Sequence, residues 1–183
     1  MCGVPFHAYM PYLQKLTKKN YKIAICEQVE SPKEAKLRGG SKAIVKREVV
    51  RIVTPGTLTE EILLEADKNN FLLSINISNK NIGISWLDIS TGELYTQLCD
   101  HNELNTAISR IRPREILLME NKLLEVNNYS DKIKNIHDSV ITPIIYNNKN
   151  SKKAKKLICI HFGVNSLTSF GVFSESEILS CWS

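Results

Sequence analysis

The sequence predicts an α/β protein in two parts, a short mixed segment followed by a sheet-centred domain ordered βββαβαβα. Three observations carry this. From residue 71 onward, Phe71–Ile77, Ile82–Asp88 and Glu93–Leu98 are strand-like runs separated by Asn79-Lys80-Asn81 and Ser90-Thr91-Gly92, the grammar of an antiparallel meander. The later runs at 115–119 and 139–145 alternate with helical stretches, which calls for parallel strands reached by crossovers. Finally, the basic, β-branched run Val45–Val53 halts at Pro55-Gly56, and the charge divides near the same place. Residues 1–52 hold 11 Lys/Arg against 4 Asp/Glu, whereas the remainder holds 13 against 15.

The elements follow in order. Gly3-Val4-Pro5-Phe6-His7-Ala8 reads as a loop, and Pro11 suits the first turn of a helix running to about Lys19, where its missing N–H costs nothing. Leu13 and Leu16 supply an apolar stripe, and Asn20 is a left-handed C-terminal cap. A strand follows at 22–26. Ser31-Pro32-Lys33-Glu34 is a capping box with proline at the first helical position, giving a helix over 32–38 that Gly39-Gly40 ends. In the strand 45–53, Val45, Arg47, Val49, Arg51 and Val53 share one face, and Lys46, Glu48, Val50 and Ile52 the other. Arg47 and Arg51 then stand about 13 Å apart, at roughly 3.3 Å per residue. Beyond Pro55-Gly56, Thr59 caps a short helix opening on Glu60-Glu61. After the meander come a helix over 102–111, a strand 115–119, a helix near 121–127, a strand near 139–145 and a helix over 152–162 stopped by Gly163. Lys152, Lys153, Lys155 and Lys156 crowd the start of that last helix, where the macrodipole disfavours cations.

Composition bounds the function. The chain has 183 residues, of which 43% are hydrophobic, and a formal charge of +5. That is enough apolar material for a packed core. No run approaches the ~18 apolar residues of a membrane span, and no signal-peptide pattern opens the chain, so a soluble, cytoplasmic protein with no membrane partner is expected. The five cysteines are scattered without a C-x-x-C, which suggests neither a zinc ribbon nor a disulfide framework. Cys26, in an apolar strand, reads as a small buried hydrophobe. The four histidines lack ligand spacing, and His161 reads as semi-buried on a helical face with Leu157 and Ile158. No phosphate-cradling G-x-x-x-x-G-K-[ST] loop occurs.

The order βββαβαβα is that of an RNase H-like fold, and this raises nuclease chemistry. Such enzymes hold two metal ions with clustered carboxylates, one of them on the first strand of the meander. Here that strand is Phe71-Leu72-Leu73-Ser74-Ile75-Asn76-Ile77, without an acid. Asp88 closes the second strand just before Ser90-Thr91-Gly92 and reads as a brace of that turn. Binding remains. The asymmetric positive charge is the footprint of phosphate contact, with Arg47 and Arg51 on one strand face, Lys46 beside them, and a basic helix end at Lys18-Lys19. The contrary reading is a pair of solvated arginines guarding an edge strand.

Several blocks together resemble the MutS family of DNA mismatch repair proteins: Gly3-Val4-Pro5-Phe6-His7-Ala8, Tyr12-Leu13 with Lys15-Leu16, and Ala24-Ile25-Cys26-Glu27-Gln28. The strongest is Val49-Val50-Arg51-Ile52-Val53-Thr54-Pro55-Gly56-Thr57, and Leu87-Asp88-Ile89-Ser90-Thr91-Gly92-Glu93, Phe162-Gly163 and Phe170-Gly171-Val172 extend it. The resemblance implies that residues 1–54 are the later part of a mixed α/β mismatch-recognition domain, 55–70 a linker with a short helix, and 71–183 an RNase H-like, non-catalytic connector domain. It places Arg47 near DNA, with Arg51, Lys46 and Met1 as further DNA-binding positions. The family's minor-groove Phe-x-Glu wedge falls before the segment matching Met1, and its ATPase domain, with ATP and Mg, after the connector. The expectation is therefore an internally started fragment, off-pattern at Ser180-Cys181-Trp182-Ser183, with no enzyme activity and no cofactor of its own. Weak, non-specific binding of double-stranded DNA and docking on other mismatch repair proteins through the connector are the expected remnants. A stand-alone metal-dependent nuclease and the inert product of a degraded gene are the alternatives.

Overall fold

The computed structural model describes residues 3–60, 63–64, 68–78, 80–120, 139–145 and 150–182. Met1, the helix expected near 121–127 and most of the one expected from Glu60 lie outside the described residues. The chain divides into two compact units, residues 1–55 and 56–183.

In the first unit a 3-10 turn, Phe6–Ala8, leads into α1 (Tyr9–Thr17). The helix begins two residues earlier than Pro11 suggests. N–H groups of the first turn have no intrahelical acceptor, so proline is tolerated at its third position as well as its first. Asn20 takes φ 61°, and the Tyr21 N–H wraps back to the Leu16 carbonyl at 3.1 Å, as expected for a left-handed cap. After β1 (Ile23–Gln28), α2 (Pro32–Gly39) opens on the expected capping box. The Glu34 N–H donates to Ser31 Oγ at 3.3 Å and the Ser31 N–H to Glu34 Oε2 at 2.7 Å. β2 (Arg47–Val53) pairs antiparallel with β1, setting Ile23 opposite Val53 and Gln28 opposite Arg47, with a bulge between Ile25 and Cys26.

Two sequence expectations fail here for one reason. Cys26 is exposed, not buried, and only Leu13, Thr17, Ala35, Val53 and Pro55 are buried among the unit's described residues. A two-stranded sheet has too little area to close a core. Val49 and Val50, on opposite faces of β2, keep 55% and 51% of their surface open, and Ile52 keeps 63%.

The second unit carries a five-stranded sheet made of β3 (Phe71–Ile77), β4 (Ile82–Asp88), β5 (Glu93–Cys99), β6 (Glu115–Met119) and β7 (Val140–Ile144). The order is β5-β4-β3-β6-β7. The first three strands form the antiparallel meander, and β6 and β7 run parallel to β3, which is the RNase H-like arrangement expected. α3 (Leu104–Ile111) covers one face. Leu73, Ile75, Ile82, Ile84, Ile116 and Leu118 meet Leu104, Ala107, Ile108 and Ile111 in one apolar cluster.

The other face is built differently. Ser74, Asn76, Gly83 and Ser85 alternate with the apolar set, and α5 (Glu175–Cys181) lies against it, after α4 (Ser151–His161). Ser85 Oγ meets Ser180 Oγ at 2.6 Å, and the Asn76 amide donates to the Ser176 carbonyl at 3.4 Å. Small side chains let the helix backbone approach the sheet. A Cβ on Gly83 would stand 2.1 Å from the Ser176 carbonyl oxygen.

α4 starts amid the four lysines despite its dipole. The Asn150 side chain caps it by accepting the Lys153 N–H at 3.1 Å, an interaction worth about 1 kcal/mol, and the Lys153 ammonium sits 5.9 Å over the Trp182 ring. Gly163 ends it at φ 64°. His161 is exposed rather than semi-buried and meets Phe162 edge-on at 5.1 Å.

Gly83→Ala therefore forces α5 off the sheet. We expect the urea midpoint, followed by circular dichroism, to fall by an amount equivalent to about 2–4 kcal/mol, the range of severe overpacking. An unchanged midpoint would contradict the close approach.

Candidate nucleic-acid interface

Arg47 opens β2 and is exposed, whereas Arg51 is half-buried and engaged in contacts of its own. The alternation puts both on one face with Val49, whose surface is open. Lys46 stands just before the strand, not within it, and its ammonium reaches Glu48 Oε1 at 2.6 Å with both side chains over half exposed. Such a solvated pair contributes little and opens readily to an incoming phosphate. The structure thus sets Arg47 and Arg51 on one face of a strand and pairs Lys46 with the acid on the other.

What fixes the start of β2 is a carboxylate that the sequence reading passed over. Glu30 Oε1 accepts the Lys46 N–H at 2.5 Å and the Arg38 Nη2 at 2.7 Å, Oε2 accepts the Arg38 Nε at 3.3 Å, and Arg38 also donates to the Ile44 carbonyl at 3.1 Å. The guanidinium first, and then the Lys46 N–H, hold the Glu30 carboxyl below its usual range. The recoverable signal was Glu30 beside the Ser31 capping box, eight residues before Arg38 at the end of the same short helix.

In the second unit two buried carboxyls face opposite sides of the sheet. Asp88 Oδ1 accepts the Ser90 N–H at 2.9 Å and its hydroxyl at 2.6 Å, and Oδ2 accepts the Asn70 N–H at 2.9 Å. It braces the turn as expected, and also pins the residue that leads into β3. Burial pushes this carboxyl up, but the Ser90 hydroxyl with the Asn70, Ser90 and Thr91 N–H groups outweighs it and holds the group low. Glu115, 1% exposed, accepts the Gly56 N–H at 3.0 Å and the Thr142 hydroxyl. Among the described residues no cluster of three or more His, Cys, Asp or Glu side chains is placed to hold a metal ion. Cys99 and Cys181 are buried thiols, and burial raises both, the state of a packing residue rather than a nucleophile.

No helix among the described residues is long and apolar enough to cross a membrane.

The low Asp88 pKa has a consequence for stability. A carboxyl depressed in the folded state contributes fully above its unfolded value of about 3.9 and loses that contribution as pH falls through the folded value. Asp88→Ala should destabilise the second unit by about 1–3 kcal/mol at pH 7. Urea melts should show that gap closing below pH ~4 and holding constant from pH 6 to 8; a gap that widens in acid would contradict it.

Comparison with known proteins gives these units a family. Residues 1–62 match MutS domain I and residues 70–181 match MutS domain II. The chain is 43% identical over 178 residues to the DNA mismatch repair protein MutS of Cereibacter sphaeroides, covering 97% of this chain and 19% of that protein. It is 42% identical to those of Ehrlichia chaffeensis, over 100% of this chain and 22% of the relative, and Wolbachia pipientis, over 99% and 21%. The chain spans about a fifth of the length of the curated relatives it matches.

Proposed function

This chain belongs to the MutS family, and from that membership we propose that its first unit binds double-stranded DNA without preference for mismatches, through Arg47, Arg51 and Lys46, with Met1 as a further contact. The observation that carries this reading is the exposed Arg47 on a strand whose start is locked by Glu30, within a segment of 11 basic and 4 acidic residues. A guanidinium on a fixed backbone meets a phosphate at low entropic cost, because its fork is pre-organised and bidentate. The interaction is with the backbone, so it positions without reading sequence. The first 60 residues contain no Phe-x-Glu pair, so no apolar wedge of that type is available there to sense a weak base step.

The salt dependence tests this. Anisotropy of a labelled duplex should give equal affinity for matched and mismatched DNA. The slope of log K against log salt should become shallower by about 1 in Arg47→Ala, the loss of one phosphate contact. A slope unchanged by the substitution removes Arg47 from the interface, and a clear mismatch preference defeats the reading as a whole.

A second reading, docking on other mismatch repair proteins through the second unit, is favoured by one observation. A cleft of about 430 Å³ lies between β5, α4 and α5, rimmed by Tyr95, Phe162 and Phe170, which keep 45%, 45% and 61% of their surface. Clustered exposed aromatics of this kind mark interaction surfaces. Phe170→Ser should leave the melting temperature unchanged and weaken capture of purified mismatch repair proteins about tenfold, since a buried anchor is worth over 1 kcal/mol. Equal capture by both forms would exclude the cleft.

A further inference from the structure

The second unit holds another cavity, distinct from the aromatic cleft. It has a volume of about 450 Å³ and lies where the end of α3 passes into β6, within the size range of small-ligand sites. Lys68, Arg110, Arg112 and Arg114 line it, and none of the described lining residues is acidic. In a unit whose basic and acidic residues nearly balance overall, that is a local excess of one sign. Confined walls sharpen it, because a low-dielectric cavity focuses the field of its rim.

Two features mark this as a built site rather than a chance gathering of surface cations. Asn70 is 7% exposed, lines the cavity, and its side-chain amide nitrogen has no acceptor. A buried donor left without a partner costs about 1–3 kcal/mol, and such groups call for an explanation by ligand or function. Arg112 occupies the left-handed region, with φ 52° and ψ 56°. The cap position there would suit glycine or asparagine, so a guanidinium is held at the cavity where the backbone disfavours one.

The backbone that carries these groups is fixed. The Arg112 N–H bonds to the Ile108 carbonyl at 2.8 Å, the Arg114 N–H to the Phe71 carbonyl at 2.9 Å, and the Asn70 N–H to Asp88 at 2.9 Å. Arg110 is steered by a hydrogen bond to Gln97. The donors are thus pre-organised around a space floored by the Phe71 ring. Cations and amide donors with no acceptor among them suit an anion, and the apolar floor suits a flat organic body attached to it.

We infer that this cavity is a binding site for a phosphate monoester carried on an aromatic body, the chemistry of a nucleoside monophosphate or of the 5′-phosphorylated end of a DNA strand. The dianion sits among Lys68, Arg112 and Arg114, its oxygens accept from the Asn70 amide, and the base lies toward Phe71. The site is independent of the strand face carrying Arg47.

Amide chemical-shift titration of the full chain tests it, using AMP, adenosine, inorganic phosphate, and a short single strand with and without a 5′-phosphate. AMP should bind saturably and shift the amides of Asn70, Phe71, Arg112 and Arg114, with adenosine at least about tenfold weaker, the worth of one charge-assisted contact. If the source is a DNA end, the phosphorylated strand should exceed AMP; if a free nucleotide, AMP should equal or exceed the strand. Arg112→Gly separates binding from folding. Glycine relieves the left-handed backbone, so the melting temperature should hold or rise while AMP affinity falls about tenfold. Asn70→Leu should weaken AMP and inorganic phosphate alike. Equal shifts with adenosine and AMP, no saturation by any phosphate, or unchanged affinity in Arg112→Gly would overturn the site, whatever becomes of DNA binding through Arg47.

Discussion

The second unit depends on one buried carboxyl, that of Glu115. It opens β6 next to the central strand of the sheet, almost without solvent, and each of its oxygens is committed: one to the Gly56 N–H, the other to the Thr142 hydroxyl on β7. An acid placed there without partners would cost several kcal/mol. Bonded, it ties the chain leaving the Pro55-Gly56 turn to the sheet and fastens the outer parallel strand to its neighbour. Gly56 is required for this contact, since a Cβ would fall 2.7 Å from the Glu115 Cβ and 2.9 Å from Leu72 Cδ1. The turn that ends the basic strand in sequence is thus also the first fastening of the next unit.

The two faces of that sheet show how one alternating pattern serves two kinds of packing. Toward α3 the residues are branched and large, and cohesion comes from area removed from water. Toward α5 they are small and polar, and cohesion comes from backbone proximity and hydroxyl pairing. The polar face tolerates its hydroxyls because most find partners across the interface, although Ser74 Oγ does not. A helix lying on glycine and serine has little freedom to slide, because the contact is steric on one side and hydrogen-bonded on the other.

Much of this was legible in the residues. The meander, its turns, the parallel strand at 115–119 and the Ser31 capping box are local events, set by alternation, by turn chemistry and by side chains three positions apart, so they were found with bounds close to those observed. Asp88 was legible for the same reason, its partner Ser90 being two residues away. The role of Glu115 was not, because Gly56 lies 59 positions earlier and only the fold brings them together. Cys26 and His161 were placed on the wrong side of the surface because alternation and helical period report which residues share a face, not whether anything covers it. Arg47 could be singled out from its neighbours, but its fixed position depends on Glu30, sixteen residues before Lys46.

That last dependence shows how the first unit can be functional with so small a core. With five buried residues among those described, hydrophobic burial alone does not hold α2 to the start of β2. Glu30 does, taking one N–H from the strand and two from a guanidinium whose remaining reach goes to the Ile44 carbonyl. Exposed ion pairs taken singly add little to stability, but a carboxylate that fixes backbone on two elements acts on geometry as well as energy. Its effect falls on the residue before Arg47, so the ordering of this polar knot is also the ordering of the proposed phosphate contact. A large apolar core is not needed to aim a guanidinium; a short, fully bonded acid beside it suffices.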